Sequence, residues 1–316
     1  MRIFRSIDIR EKFKNPVLTI GNYDGLHLGH RRIIERVKER ARELDGTAML
    51  MTFHPHPLKV LRPDKEVAAI TPEDQKERVI EEAGIDVLFV VPFTEEFSRI
   101  SPEAFVKTIL VETLAIKGMV IGHDFRFGTA GKGNVARLEK MSREYGFFVE
   151  VMDAIALDGE RVGSNRVRSL VAEGDVAKVA QLLGRPYMIS GKVVRAKGRG
   201  RTIGFPTINL RTDYPLIPAN GVYVTEVEAL GRRYGAVTNI GLNPTFENGQ
   251  ERSIETFILD FNDDLYDKEV RLRFFRRIRN EERFASVDEL KARIAEDVHT
   301  ARDYFGSRST HESRPV

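Results

Sequence analysis

Apolar and polar positions along the 316-residue chain follow two different patterns, and the change falls near residue 187. Before it, short continuous apolar runs at 17–20, 48–53, 87–91, 119–121 and 147–151 are separated by amphipathic stretches. A short unbroken apolar run reads as a strand covered on both faces. The stretches between carry helix start signals. Thr71-Pro72-Glu73-Asp74 and Ser101-Pro102-Glu103 each place a capping hydroxyl before a proline suited to the first helical position. Five strands interleaved with helices predict a parallel, doubly wound sheet with its ligand site beyond the carboxyl ends of the strands. Two short helices, 165–173 and 175–183, close this half, the second stopped by Gly184 and Pro186.

Beyond Tyr187 the periods shorten. Strand-like segments at 189–195, 221–230, 234–240, 253–261 and 270–278 follow one another with no helical segment between them. Consecutive strands without crossover helices pair antiparallel, which predicts a small closed β-barrel. Only 286–305 has strong helical periodicity, opened by a Ser-x-x-Glu capping box at Ser286 and Glu289. The last ten residues, 307–316, read as a frayed tail. The expected organisation is an α/β domain over 1–186 and a β-barrel with a C-terminal helix over 187–316, with no internal repeat and no low-complexity segment.

Composition narrows the class of function. Hydrophobic residues make up 41% and charged residues 31%, as in ordinary globular proteins. No apolar stretch approaches the ~20 residues of a membrane span. The N-terminus lacks the apolar core of a signal peptide, so a cytoplasmic location is expected. With no cysteine, disulfides, thiolate nucleophiles and cysteine zinc sites are excluded. The net charge is +3, and divided at residue 186 the halves carry 29 basic against 28 acidic residues and 21 against 19. Neither half is a polycationic module.

Two stretches carry chemistry. In LTIGNYDGLHLGH (18–30) a buried strand runs into a glycine-rich turn and then a helix beginning near Leu28. Glycines let the backbone approach a ligand, and the helix start offers free N–H groups and partial positive charge to an anion. His27 and His30, three apart, share one face of the first turn. Two donors there suit nucleotide phosphates and would stabilise charge as an α–β phosphoanhydride breaks. The alternatives are surface histidines on a plain turn, or a metal site, for which two histidines without a third ligand are a poor set.

The second stretch is GRGRTIGFPTINL (198–210). Pro206 holds the chain extended, so Thr207 and Asn209 point to one side and offer oxygens of the kind Mg²⁺ accepts. The glycines before them, Gly198 and Gly204 among them, can wrap phosphates with backbone N–H groups. No Gly-Lys-Ser/Thr follows, so this is not a Walker A loop; a solvated turn is the alternative. Downstream, SIETFILDF puts Glu255 on one face with Phe257, Leu259 and Phe261. A carboxylate on an apolar face is costly unless paired or employed. If that face lines a pocket, Glu255 can take a proton from a hydroxyl attacking ATP. If not, it is a solvent-facing glutamate on an edge strand.

Taken together these stretches resemble the prokaryotic bifunctional riboflavin kinase/FMN adenylyltransferases, the FAD synthetases. GNYDGLHLGH resembles the His-x-Gly-His signature of nucleotidyltransferases, and TFHPHP (52–57), GHDFRFG (122–128) and EGDVAKVAQLLGRPY ending at Tyr187 agree in order and spacing. The resemblance implies a Rossmann-like nucleotidyltransferase domain with Gly21, Asn22, Asp24, Gly25 and His56 around the nucleotide. Asp124, Phe125 and Phe127 would line the flavin and adenine region. His27, His30, Ser164 and Arg168 would stabilise the transferring and leaving phosphates. The family usually carries Ser-Ser-Thr-x-x-Arg, whereas this chain has Gly163 and Asn165 for the first serine and the threonine. Asn165 can still cap a helix and donate to a phosphate, so adenylyl transfer is expected to persist.

GFPTIN resembles the kinase signature Gly-x-Pro-Thr-Ala-Asn with Ile208 for alanine, and NIGLNPTF and IETFILDF match two further blocks, with Asn243 where arginine is common. The resemblance implies that Thr207 and Asn209 hold Mg²⁺ with ATP as co-substrate and that Glu255 is the base. Arg279 and the C-terminal helix would border the flavin. Its substrates and products would be riboflavin, FMN, FAD, ATP, ADP and pyrophosphate, with no nucleic acid or membrane partner and at most weak self-association. Three rival readings remain open. One is a kinase whose adenylyltransferase half is impaired by Gly163 and Asn165; another is a flavin-storage module without turnover. The third is an RNA-binding protein, motivated by the interleaved arginines and phenylalanines of RLRFFRRIR (271–279).

Overall fold

A computed structural model describes residues 1–65, 67–196, 199–242 and 252–306. The expectations for Gly198, for residues 243–246 of the block containing Asn243, and for the 307–316 tail fall outside these residues. The chain divides into two compact units, Met1–Ser164 and Asn165–Val316.

The unbroken apolar runs of the first unit are strands whose alternate residues feed two separate cores. Leu18, Met49, Met51, Phe89 and Met119 pack on one face. Val17, Leu50, Leu88 and Val120 pack on the other. Strands β1 (Arg2–Phe4), β2 (Val17–Ile20), β3 (Ala48–His54), β4 (Val87–Pro92), β5 (Gly118–Gly122) and β6 (Phe148–Met152) form one sheet in the order β1-β4-β3-β2-β5-β6. Every pairing is parallel. Helices α1 (Leu28–Glu43), α2 (Pro57–Leu61), α3 (Glu73–Glu82), α4 (Glu95–Ser98), α5 (Pro102–Ala104) and α6 (Val135–Tyr145) connect the strands, α5 running on as a π-helix over Phe105–Thr113. A two-stranded hairpin of β7 (Ala156–Leu157) and β8 (Glu160–Arg161) follows. The chain leaves β2 toward β3 on one side and later returns to β5 on the other. The crevice of this switch point therefore opens beyond the adjacent ends of β2 and β5.

Two expectations need correcting. The sheet has six strands, because the three residues of β1 pair with β4 at the edge, where Ile3 is half exposed and leaves no apolar run to read. Ser101 caps its helix as expected, accepting from Ala104 N at 3.1 Å. Thr71 caps nothing: Pro72 holds the cap position of α3 with no side-chain hydrogen bond. Thr71 is instead buried, its own N–H donated to Asp24 Oδ1 at 3.1 Å.

The second unit contains α7 (Ser164–Glu173, its first residue still in the first unit), α8 (Val176–Leu183) and a closed antiparallel barrel. The barrel strands are β9 (Tyr187–Val194), β10 (Thr207–Arg211), β11 (Gly221–Ala229), β12 (Arg232–Leu242), β13 (Arg252–Ile258) and β14 (Glu269–Arg279). Their order round the barrel is β10-β13-β12-β11-β14-β9. A single helical turn, α9 (Arg199–Thr202), precedes β10, and α10 (Val287–Gly306) ends the described chain. Ser286 caps α10 as expected, its Oγ accepting from Glu289 N, but the Glu289 carboxylate returns to Ala285 N, one residue before the cap, rather than to Ser286 N. Inside the barrel, Thr225, Thr238 and Thr256 link hydroxyls at 2.7 and 2.9 Å. Outside, Ala301 of α10 packs over Val222, Val224 and Val237. Among the described residues no helix is long and apolar enough to cross a membrane.

Two candidate active sites

The crevice of the first unit is built by the turn between β2 and α1. His27 is the N-cap of α1, and its Nδ1 accepts from His30 N at 3.3 Å. That bond places the ring proton on Nε2, free to donate to a ligand. The His27 and His30 rings stack with centroids 3.7 Å apart, and Tyr23 lies 4.8 Å from His30 with its hydroxyl 2.6 Å from Thr19 Oγ1. Gly25 takes φ +86°, a backbone open to glycine, where a Cβ would press on Ile70. Burial pulls the His27 imidazolium down to about 4, with nearby Arg161 acting in the same direction and Asp124 opposing it. Burial and the His27 ring pull His30 well below its ordinary value. Both are therefore neutral donors near pH 7. His30 Nδ1 and Arg31 Nε, on this first turn, are buried with no hydrogen-bond partner, as a site made to receive an anion would leave them.

The remaining expected residues of this unit divide between the crevice and its frame. Asp24 is buried; its Oδ1 accepts from Ile70 N and Thr71 N, at 2.9 and 3.1 Å, and its carbonyl accepts from Ser164 Oγ at 2.9 Å. It thus pins the turn, and Ser164 is brought to that turn. Asn22 is exposed, with its carbonyl accepting from Thr52 Oγ1, and Gly21 N donates to Met51 O. Asp124 pairs with Arg161 of β8, both exposed. Phe127 is buried in the core, stacked beneath the half-buried Phe125 at 5.5 Å. His56 caps α2 by accepting from Leu58 N at 3.2 Å, and His54 Nδ1 lies 3.2 Å from Glu73 Oε2. A half-exposed aromatic cluster, Phe53, Phe93 and Phe97 at 5.5–5.7 Å, lies at the carboxyl ends of β3 and β4. Asn165 and Arg168 open the second unit, where Arg168 Nη1 donates to Asn165 Oδ1 at 2.9 Å.

In the second unit, strand register makes the site. Asn209 of β10 lies directly opposite Glu255 of β13, and Thr207 opposite Phe257. Directly opposed residues of an antiparallel pair share a face, with Cβ atoms about 5 Å apart. The partners inside the barrel are Ile254, Thr256 and Ile258, so Thr207, Asn209 and Glu255 stand together on the outer face. Glu255 lies on an internal strand of a closed barrel, which removes the edge-strand alternative. α9 folds back over this face. A Cβ on Gly200 would collide with Phe205 O and lie 3.1 Å from Thr207 Oγ1, so only glycine fits there. Gly204, at φ +89°, makes the turn into β10. Arg279 Nη2 donates to Asp297 Oδ2 at 2.8 Å, both groups nearly buried, which ties β14 to α10. A hydroxyl, a carboxamide and a neighbouring carboxylate are oxygen donors that fit a hard divalent ion completed by phosphate and water. No group of three or more His, Cys, Asp or Glu able to hold a metal occurs among the described residues.

Gly200, Tyr23 and Arg161 were not singled out from sequence. Gly200 had a signal, being the middle glycine before Pro-Thr-x-Asn, whereas Tyr23 and Arg161 become visible only when the turn and hairpin are folded. In the 271–279 run Arg271, Arg273, Arg277 and Arg279 are engaged, while Arg276 is exposed. Arg271 and Arg273 pair with Glu226 and Glu228 at 2.5–2.9 Å, and Phe274 points inside.

Comparison with known proteins gives a separate family match for each half of the chain. Residues 9–166 match the family model for FAD synthetase and residues 183–305 that for riboflavin kinase. A bifunctional riboflavin kinase/FMN adenylyltransferase of Escherichia coli K12 is 40% identical, covering 92% of this chain and 93% of its own. One from Bacillus subtilis is 37% identical, covering 95% of each. A solved structure of a macrolide-efflux protein from Streptococcus pneumoniae superposes with TM-score 0.87 at 29% identity, over 95% of this chain and 98% of that one.

Proposed function

This chain belongs to the bifunctional riboflavin kinase/FMN adenylyltransferase family, and from that premise we propose how its own residues divide two ATP-dependent transfers. The enzyme phosphorylates riboflavin to FMN, then adenylylates FMN to FAD with release of pyrophosphate. The observation that carries the kinase assignment is the register that sets Glu255 against Asn209, with Thr207 two residues away. Glu255 takes the proton of the ribityl 5′-hydroxyl, whose oxygen attacks the γ-phosphorus of ATP while ADP leaves. Thr207 and Asn209 would hold Mg²⁺ with the ATP phosphates, where the ion would supply positive charge to the transferring group. The backbone of α9 around Gly200 closes on the same phosphates, and the C-terminal helix and Arg279 border the flavin.

In the first unit a phosphate oxygen of FMN attacks the α-phosphorus of ATP and pyrophosphate leaves, with no covalent enzyme intermediate. The Nε2–H of His27, the neutral His30 and the free N–H groups of α1 donate to the phosphates. Ser164 braces the glycine turn that carries these donors. Ser164 reaches the glycine turn through its own hydroxyl, which supports turnover without the hydroxyls missing at 163 and 165. Phe53, Phe93, Phe97 and Phe125 offer apolar rings to the isoalloxazine. The proposal includes a cytoplasmic enzyme, monomeric or weakly self-associating and without a nucleic-acid partner. The near-balanced charge and the paired β14 arginines support it.

The test is Glu255→Ala. FMN formation is expected to fall by roughly 10²–10⁴-fold, while FAD formation from supplied FMN stays at the wild-type rate. Loss of both activities in a folded variant would contradict two separate sites.

A further inference from the structure

The polar row on the outer face of the barrel does not stop at Glu255. On β12, Asn239 lies directly opposite Glu255 on the side away from Asn209, and Gly241 follows on the same face. A Cβ at Gly241 would collide with Glu281 Oε1 and lie 3.4 Å from Asn239 Nδ2. The Glu281 carboxylate thus occupies the place where a side chain at 241 would stand. It is held there: its Oε2 accepts from Asn220 Nδ2 at 3.0 Å. Asn220 Oδ1 in turn accepts from Arg252 Nε and Nη2 at 3.0 and 2.9 Å, and Arg252 is braced on the carbonyls of Ile217 and Pro218. Asn209, Glu255, Asn239 and Glu281 form a line running from the phosphate-binding residues to the start of the segment after β14.

We infer that Asn239 and Glu281 are the subsite for the polyol chain of the flavin and set the kinase's preference for a hydroxylated side chain. The inference rests on the kinase reading above. If Glu255 meets the terminal hydroxyl and Thr207 and Asn209 take the phosphate side, the rest of the chain leaves Glu255 toward β12. Glu281 Oε1 and Asn239 Nδ2 both lie within 3.4 Å of the place where a side chain at 241 would stand, close enough together to meet one short run of hydroxyls. Each hydroxyl both donates and accepts; a carboxamide answers with one of each, and a carboxylate accepts. A flavin with a plain alkyl chain leaves these groups desolvated and unpaired, which is how a polar site rejects an analogue.

The experiment compares riboflavin with a flavin bearing a 5-hydroxypentyl chain, which keeps the reacting hydroxyl and lacks the other three. Wild type is expected to favour riboflavin in kcat/KM by 10-fold or more. Glu281→Gln and Asn239→Ala, as separate variants, are expected to raise KM for riboflavin at least about 5-fold and to shrink that preference, with KM for ATP within about 2-fold. The unchanged ATP KM reports a folded barrel, and two variants guard against failure of one to fold. An unchanged riboflavin preference in both folded variants overturns the inference. Substantial kinase activity in Glu255→Ala overturns the kinase reading itself, so the two failures are told apart.

Discussion

At the scale of single residues, the first site is set by burial as much as by residue type. His27 and His30 are neutral because the turn, Tyr23 and each other's rings exclude water. A histidine whose folded value lies below its unfolded one binds fewer protons in the folded state through that window, so stability rises with pH there. For His27 the window runs from about 6.5 down to about 4: its contribution is complete above the former and lost as pH falls toward the latter. The total is on the order of 3 kcal/mol. His27→Asn is expected to flatten the acid limb of the first unit's denaturation profile without abolishing it, since His30 titrates in the same sense. A slope identical to wild type between pH 6.5 and 4.5 would refute this. In the second site, Gly200→Ala is expected to raise KM for ATP in the kinase reaction by about 10-fold, because the methyl must displace Phe205 O or Thr207 Oγ1. FAD formation from FMN is the internal control. The histidine pair and the Pro-Thr-x-Asn core were legible in sequence because spacing alone puts each pair on one face. The protonation state and the fit of Gly200 were not, because both depend on neighbours distant along the chain.

At the scale of elements, the strands that sequence missed are those with no continuous apolar run. β1 is three residues at a sheet edge, and β10 alternates half-buried polar positions with its only fully buried residue at Leu210. The π-helix after α5 was read simply as helix, since its apolar face, Phe105, Val106, Ile109 and Leu110, fits either winding. Ser101 and Thr71 carry the same local signal and differ only because Asp24 captures the backbone beside Thr71. The basic run on β14 looked like a surface for partners and is largely an internal charge lattice. Its one nearly buried pair is the best measure of how α10 is held. Asp297→Ala leaves the Arg279 guanidinium buried without its carboxylate and is expected to destabilise the second unit by about 3–5 kcal/mol. Chemical denaturation monitored in the barrel checks this, and a loss below about 1 kcal/mol would mean that α10 docks through Ala301 and its apolar neighbours alone.

At the scale of the whole molecule, two units with complete residue sets predict complementation. A protein carrying Glu255→Ala mixed with one carrying His30→Ala is expected to convert riboflavin to FAD, although neither does so alone. A lag should shorten as the Glu255→Ala partner is increased, because FMN must leave one molecule and bind another. Failure of the mixture while each variant keeps its remaining activity would require FMN to stay within one chain. The change of apolar period near residue 187 was enough to read both folds. The contacts of the helices at 164–183 were beyond it, since amphipathic helices are silent about which sheet they cover.

The barrel closes by pairing its first strand with its last: Tyr187 lies opposite Phe274 and Lys192 opposite Glu269. The sheet of the first unit, by contrast, has all its strands by Met152. On the ribosome, therefore, the adenylyltransferase sheet can fold while the rest is still being translated, whereas β9 waits for some eighty further residues before its hydrogen-bonding edge is covered. A stall or premature stop between β9 and β14 would release a chain able to make FAD from FMN but carrying an exposed strand edge. The aggregation risk in synthesis thus belongs to the half that acts first in metabolism and folds last.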